Sequence, residues 1–218
     1  MKKILYVILL VVLLPTLSGC YEKYQFEKKF TPTDISGTIN GHDYVDLGLS
    51  VKWATCNVGA NSPEDYGNYY AWGETTPKER YTEYNSITYG DESMSDISGD
   101  EQYDAATANW GKGWRMPTKK EFEELIDNCV KLIVYSHGVE GTLYISKKNG
   151  NNIFLPHAGY YYDKTHLTTD IKYWSSSPTE NKAYGDDNAH CLCSYYSSSP
   201  FISFTKRYRG CPVRPVAD

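Results

Sequence analysis

Ile4 to Leu14 form an unbroken apolar run of 11 residues behind Lys2 and Lys3. A membrane-spanning helix needs about 20 apolar residues, so this run is too short to cross a bilayer. A basic start followed by a short apolar stretch predicts a secretory signal. From Tyr21 to about Ser36 the chain reads YEKYQFEKKFTPTDIS, charged and without a period, which predicts a tether. Partial alternation then begins. Val45, Leu47, Leu49, Val51 and Trp53 predict two short strands around Gly48. The aromatic, glycine-broken DYGNYYAWGET (Asp65 to Thr75) reads as a short strand or buried loop, and residues 76–109 as a long polar stretch. At Thr118 the period changes. Thr118 and Glu121 make a capping box, with Pro117 just outside it. Phe122, Leu125, Ile126 and Cys129 recur at helical spacing, so the pattern predicts one clear helix near 118–130. Two β-rich runs follow, and Asn149-Gly150 between them predicts a hairpin. From His157 onward only short Tyr- and Ser-rich segments remain. Strands, one helix, then strands define an α+β chain of mostly short antiparallel strands.

The segment after the apolar run, Leu17-Ser18-Gly19-Cys20, resembles the bacterial lipobox. That resemblance implies a lipoprotein signal peptide over 1–19, a lipid-anchored tether over 20–36 and one domain over 37–218. Cys20 would carry a diacylglycerol and an amide-linked chain such as palmitate. Two acyl signals give lasting membrane attachment. The expected location is the cell envelope, at the outer membrane and open to its surface.

Composition narrows the function. The net charge is -5 and the basic residues are scattered, so no nucleic-acid partner is expected. Tyrosine is the outlier, at 21 of 218 residues. Carboxylates in Gly90 to Asp104 lack the spacing of a calcium loop and read as a solvated acidic loop. His42, His137, His157, His166 and His190 share no metal-ligand spacing. No phosphate loop or nucleophile elbow is present, so no cofactor or metal is expected. Once Cys20 is set aside, five thiols remain, an odd number. Cys56 and Cys129 can pair or stand as buried thiols.

GWRMPTKKEFEEL, the Tyr173 to Ser177 segment, the closing GCPVRPV, VDLGLSVKWATCNVGA and NGNNIFLPHAGYYY together resemble the Fibrobacter succinogenes major paralogous domain. The match spans roughly residues 40–216. The resemblance implies a C-type lectin-like fold of the formylglycine-generating-enzyme branch. In that branch the pattern Arg115, Pro117, Thr118 and Glu121 opens a structural helix. It assigns Trp114, Arg115, Pro117, Glu121, Trp174 and Arg214 to scaffold, and Arg207, Gly210 and the VRPV end to a constant frame. Formylglycine-generating enzymes bind copper with a cysteine pair. Cys191 and Cys193 alternate on one strand face and can meet a soft metal. Their spacing departs from the enzymes' wider pair, so no enzymatic activity is expected.

The C-terminal stretch also resembles the variable regions of diversity-generating retroelement proteins, whose NNC codons exclude Lys, Glu, Gln, Met and Trp. None of these occurs from Ala183 to Thr205. Chance gives such a run roughly once in a hundred placements. Cysteine is NNC-compatible, so Cys191, Cys193 and Cys211 need no redox purpose on this reading. Tyrosine gives rigid contact area and serine adaptable hydrogen bonds, the mixture that paratopes use. The expected ligand-binding residues are therefore His190, Tyr195, Tyr196, Ser197, Phe201, Phe204, Tyr208 and Arg209, with about half of the rings turned inward by strand alternation. The ligand is a protein or a glycan. The alternative is a structural or fimbria-associated envelope component without a diversified site.

Overall fold

In the computed structural model, residues 34–179, 187–195 and 199–218 are described. Cys20, Tyr196 and Ser197 lie outside them, as do the signal and all but the last residues of the tether. Strand β1 (Gly37–Ile39) turns back on β2 (His42–Val45) through Asn40 and Gly41. Both turn residues have positive φ, 50° and 80°, the twist a two-residue hairpin requires. Ser36 already belongs to this sheet, since its amide donates to the Tyr44 carbonyl at 2.9 Å. β3 (Lys52–Ala54) pairs with β2, and the last strand of the chain, β12 (Val216–Ala217), pairs with β3. The two strands expected around Gly48 are β2 and β3.

Residues 76–109 are less solvated than their composition predicts. Thr88, Ile97, Asp104, Ala105 and Ala106 are buried. Asp104 accepts from the amides of Gly99, Ala106, Thr107 and Met116 at 2.8 to 3.0 Å. It thereby caps a second helix, α1 (Ala105–Trp110), which the sequence pattern did not predict. α2 (Lys119–Asn128) carries the expected capping box between Thr118 and Glu121. The helix ends two residues before the expected 130. Cys129 is extended and begins β4 (Cys129–Ser136), so its burial comes from the strand and not from the helical face.

β4, β5 (Val139–Ser146) and β6 (Asn152–Pro156) form an antiparallel sheet, with Asn149-Gly150 in the β5–β6 turn as expected. β7 (Tyr160–Tyr162) and β8 (Thr165–Leu167) form a small hairpin. β9 (Asp170–Pro178), β10 (Asn188–Tyr195) and β11 (Phe201–Lys206) complete the fold in the order β11-β10-β9. The chain is thus α+β, dominated by antiparallel strands.

Two apolar cores lie on opposite faces of the β9–β10 pair. Trp174, Ala189, Cys191 and Cys193 face the first, with Trp72, Trp110, Trp114 and Met116. Ile171, Tyr173 and Leu192 face the second, with Trp53, Phe122, Leu125 and Tyr144. α2 supplies Phe122 and Leu125 and rests on β9, β10 and β11. Its cap is tied to the chain end. Arg115 clamps the Glu121 carboxylate at 2.6 and 2.9 Å and reaches Asp218 at 2.7 Å. Thr118→Ala therefore costs about 1 kcal/mol, the loss of one cap. Glu121→Ala costs about 2 to 3 kcal/mol, because the half-buried Arg115 also loses its main partner. Urea unfolding checks both, as a lower midpoint at unchanged slope.

Candidate ligand-binding face

The β10–β11 register separates the expected site residues into two groups. Cys193 lies opposite Phe201, and His190 lies opposite Phe204. Opposed residues share a face, and neighbours along a strand alternate. Phe201 packs on the first core, and Tyr195 meets it with ring centroids 5.2 Å apart. His190 and Phe204 belong to the other face of the sheet, where the His190 Nδ1 lies 3.3 Å from the Ser203 carbonyl. His190 and Phe204 therefore do not join Tyr195 and Phe201 in one surface. Tyr195 is 40% exposed and Phe204 39%.

Around Tyr195 and Phe201 the structure builds a continuous chain of rings and cations. The Lys172 Nζ sits 5.3 Å from the Tyr195 ring and 4.7 Å from that of Tyr160. Arg209 lies 5.5 Å from the same Tyr160 ring, 3.9 Å from Tyr162 and 5.4 Å from Tyr208. Tyr208 then meets Tyr89 edge-on at 5.3 Å. A cation over a ring face is attracted by its quadrupole. The sequence reading found Tyr195, Phe201, Tyr208 and Arg209 but missed Tyr89, Tyr160, Tyr162 and Lys172. A signal for two of them was present. In Tyr160-Tyr161-Tyr162, strand alternation sends the outer two rings to one side and Tyr161 to the other. Tyr161 stacks on His166 at 4.8 Å and helps line an open cleft of about 440 Å³ with Tyr69 and Tyr81.

The charges in this ladder differ in their partners. Lys172 has the Asp170 carboxylate at 3.6 Å. Arg209 has no carboxylate within ion-pair range among the described residues, and its Nε, although buried, has no hydrogen-bond partner. Arg207 and Arg214 instead point their guanidinium groups at buried acceptors, although the Arg214 Nη2 also has no partner among the described residues. Arg207 lies 4.6 Å from the Trp72 ring and donates to the Thr88 and Asp91 carbonyls at 3.1 and 2.8 Å. Arg214 donates to Asn57 Oδ1 and to the Ala54 and Thr55 carbonyls at 2.8 to 3.1 Å. Both are buried, as their expected place in the frame requires.

Directly beneath Lys172 lie sulfur atoms. Cys191 Sγ and Cys193 Sγ are 3.2 Å apart on one face of β10, and both residues are buried, as is Cys211. Burial, then the hydrogen bond to Cys193, push the Cys191 thiol up. The hydrogen bond from Cys191 pulls Cys193 below its ordinary value, against burial and with help from the Lys172 ammonium. Burial opposes the charge on Lys172 but is outweighed by the facing sulfurs, Cys193 first, so its pKa rises. Cys56 and Cys129 are free thiols. No group of three or more His, Cys, Asp or Glu side chains among the described residues can hold a metal. The histidines have structural partners. His42 stacks on Trp110 at 3.8 Å, His137 meets Glu64 at 3.0 Å, and His157 meets Thr142 at 2.9 Å.

No protein-family model, curated protein or solved structure matches this chain.

The three arginines should separate experimentally. Arg209→Ala changes stability by less than about 1 kcal/mol, because only ring contacts at a partly exposed site are lost. Arg207→Ala and Arg214→Ala each cost about 3 kcal/mol or more, because each leaves buried carbonyls without a donor. Thermal or urea unfolding of the three variants measures the contrast.

Proposed function

We propose that this chain is a lipid-anchored envelope protein, held by Cys20, whose C-type lectin-like domain of the major paralogous kind binds a macromolecular ligand, protein or glycan, and is not an enzyme. The ladder Tyr89, Tyr208, Arg209, Tyr162, Tyr160 and Tyr195 is the binding face, with the buried Lys172 supporting the Tyr160 and Tyr195 rings from below. The observation that carries this reading is Arg209, a guanidinium framed by Tyr160, Tyr162 and Tyr208 with no carboxylate in ion-pair range among the described residues. Rigid rings around a guanidinium offer contact area at low entropic cost and a charge that suits a partner's acid. The apolar run and lipobox support the anchor, and the quoted family motifs support the domain. The run from Ala183 to Thr205 contributes to the face through Tyr195 and Phe201, while its cysteines belong to the core. Diversification, on this reading, is confined to exposed positions.

A random-peptide display library and a glycan array, screened with the purified chain, test the face. Binders should lose about tenfold or more in affinity for the Tyr162→Ala, Tyr208→Ala, Arg209→Ala triple variant. They should change less than about twofold for His190→Ala, Phe204→Ala, on the other side of the sheet. Ligands retained by the first variant and lost by the second would overturn the assignment.

A second reading, an assembly subunit of the envelope, draws on β4. This strand is an edge, paired only with β5 among the described strands, and Val130, Leu132, Ile133 and Tyr135 are exposed on it. An exposed apolar edge is a template for another strand. On that reading the chain self-associates in solution and Ile133→Lys returns it to a monomer, as light scattering would show.

A further inference from the structure

We propose that Cys191 and Cys193 form a thiol–disulfide exchange site, a dithiol within one strand that accepts a disulfide as oxidant and closes to a reversible intrastrand disulfide. The site adjoins the aromatic face through Lys172 and Tyr195, and its chemistry does not depend on which ligand that face takes. Its geometry is explicit. The two side chains leave the same face of β10, and their sulfurs already lie 3.2 Å apart. Closure to a bond of about 2.05 Å needs an approach of only about 1 Å. Alternate residues of a strand have Cα atoms about 6.6 Å apart. That falls at the upper end of the range of about 4.4 to 6.8 Å that disulfides span. The β9–β10 register shifts between Ala189 and Cys191, so the backbone beside the pair is already irregular. A bond formed at the limit of its span is easily reduced, unlike a structural disulfide.

Cys193 is the attacking sulfur. It is nearer the open end of the strand, where the next residue of the same face, Tyr195, is exposed. Lys172 lies beside it, and a neighbouring ammonium favours the thiolate, which is the nucleophile. Cys211 contributes no partner. Its backbone is held by reciprocal hydrogen bonds with Tyr70 at 2.9 and 3.0 Å, and burial pushes its thiol far up. Cys193 is 1% exposed and Cys191 0%, so exchange requires the side chains packed over them to move aside.

The exchange balances without a metal or oxygen. The Cys193 thiolate attacks one sulfur of a small disulfide R–S–S–R, forms a mixed disulfide and expels R–S⁻, which takes a proton from solvent. Cys191 gives up its proton to solvent and attacks the Cys193 sulfur. The Cys191–Cys193 bond forms, and a second R–S⁻ leaves and is protonated. Two protein thiols are oxidised and one disulfide is reduced to two thiols.

The test uses the purified, reduced chain equilibrated in glutathione buffers of graded ratio, then trapped in acid, alkylated after unfolding and mapped by mass spectrometry. The peptide holding both residues should lose two hydrogens and escape alkylation, while Cys56, Cys129 and Cys211 are alkylated. Excess reduced glutathione should restore both thiols, at a ratio that leaves structural disulfides intact. In Cys191→Ser the reaction should stop at a glutathione adduct on Cys193. In Lys172→Met, with folding checked by circular dichroism, oxidation should slow by about tenfold. Two alkylated thiols in that peptide at the most oxidising ratio would overturn the proposal, and so would a bond from either residue to Cys211. Both readouts are masses, so a failed ligand screen leaves them untouched.

Discussion

Packing on both faces of the β9–β10 pair is what the other elements depend on. Tyr173 and Leu192 fill one core while Trp174, Cys191 and Cys193 fill the other. The polar residues of β9 are held in place by this burial. Ser175 donates to the His190 carbonyl at 2.9 Å, and the Ser176 amide donates to the Pro117 carbonyl at 2.8 Å. Irregular segments are fastened to the same pair. Trp174 donates its indole N–H to the Tyr70 carbonyl at 2.8 Å, and Trp72 donates to the Ser175 carbonyl at 2.9 Å. A buried donor that finds its acceptor in a loop fixes that loop without a strand or helix. This is how long stretches such as residues 55–104 hold their shape with little regular structure.

A frame fixed in this way leaves the aromatic ladder at its margins. The aromatic ladder takes Lys172 from β9 and Tyr195 from the end of β10. It takes Tyr160 and Tyr162 from a hairpin, and Tyr208 and Arg209 from the turn after β11. Arginine shows the division of labour within a few residues of chain. Arg207 and Arg214 spend their donors on buried carbonyls and are part of the frame. Arg209, between them in sequence, is only partly buried and packs on tyrosine rings instead.

The sequence made some elements legible and hid others for physical reasons. α2 could be read because its cap and its apolar face are local patterns, and the β5–β6 hairpin because Asn149-Gly150 is one. α1 has only 6 residues, too few for a period to show, and its cap Asp104 is one acid among many in a polar stretch. β9 shows no alternation because it is covered on both sides, so even Lys172, Ser175 and Ser176 are buried. The candidate face was half visible. Composition drew attention to Tyr195, Phe201, Tyr208 and Arg209. It could not separate them from His190 and Phe204, because that depends on strand register. Lys172 and Tyr89 join only through tertiary packing, whereas Tyr160 and Tyr162 were legible as the alternate rings of a strand.

The order β1-β2-β3-β12 has a mechanical meaning. β1 has 3 residues and stands at the edge of its sheet, while the final strand is paired with β3 further in. Tension entering the domain at Gly37 would load the β1–β2 hydrogen bonds one after another, in the manner of a zipper. β1 would peel first, giving up the Trp114 indole hydrogen bond to the Ile39 carbonyl and lengthening the chain a little while β2, β3 and β12 stayed paired. In a domain anchored by its leading end, as proposed above, that edge strand would be a shock absorber.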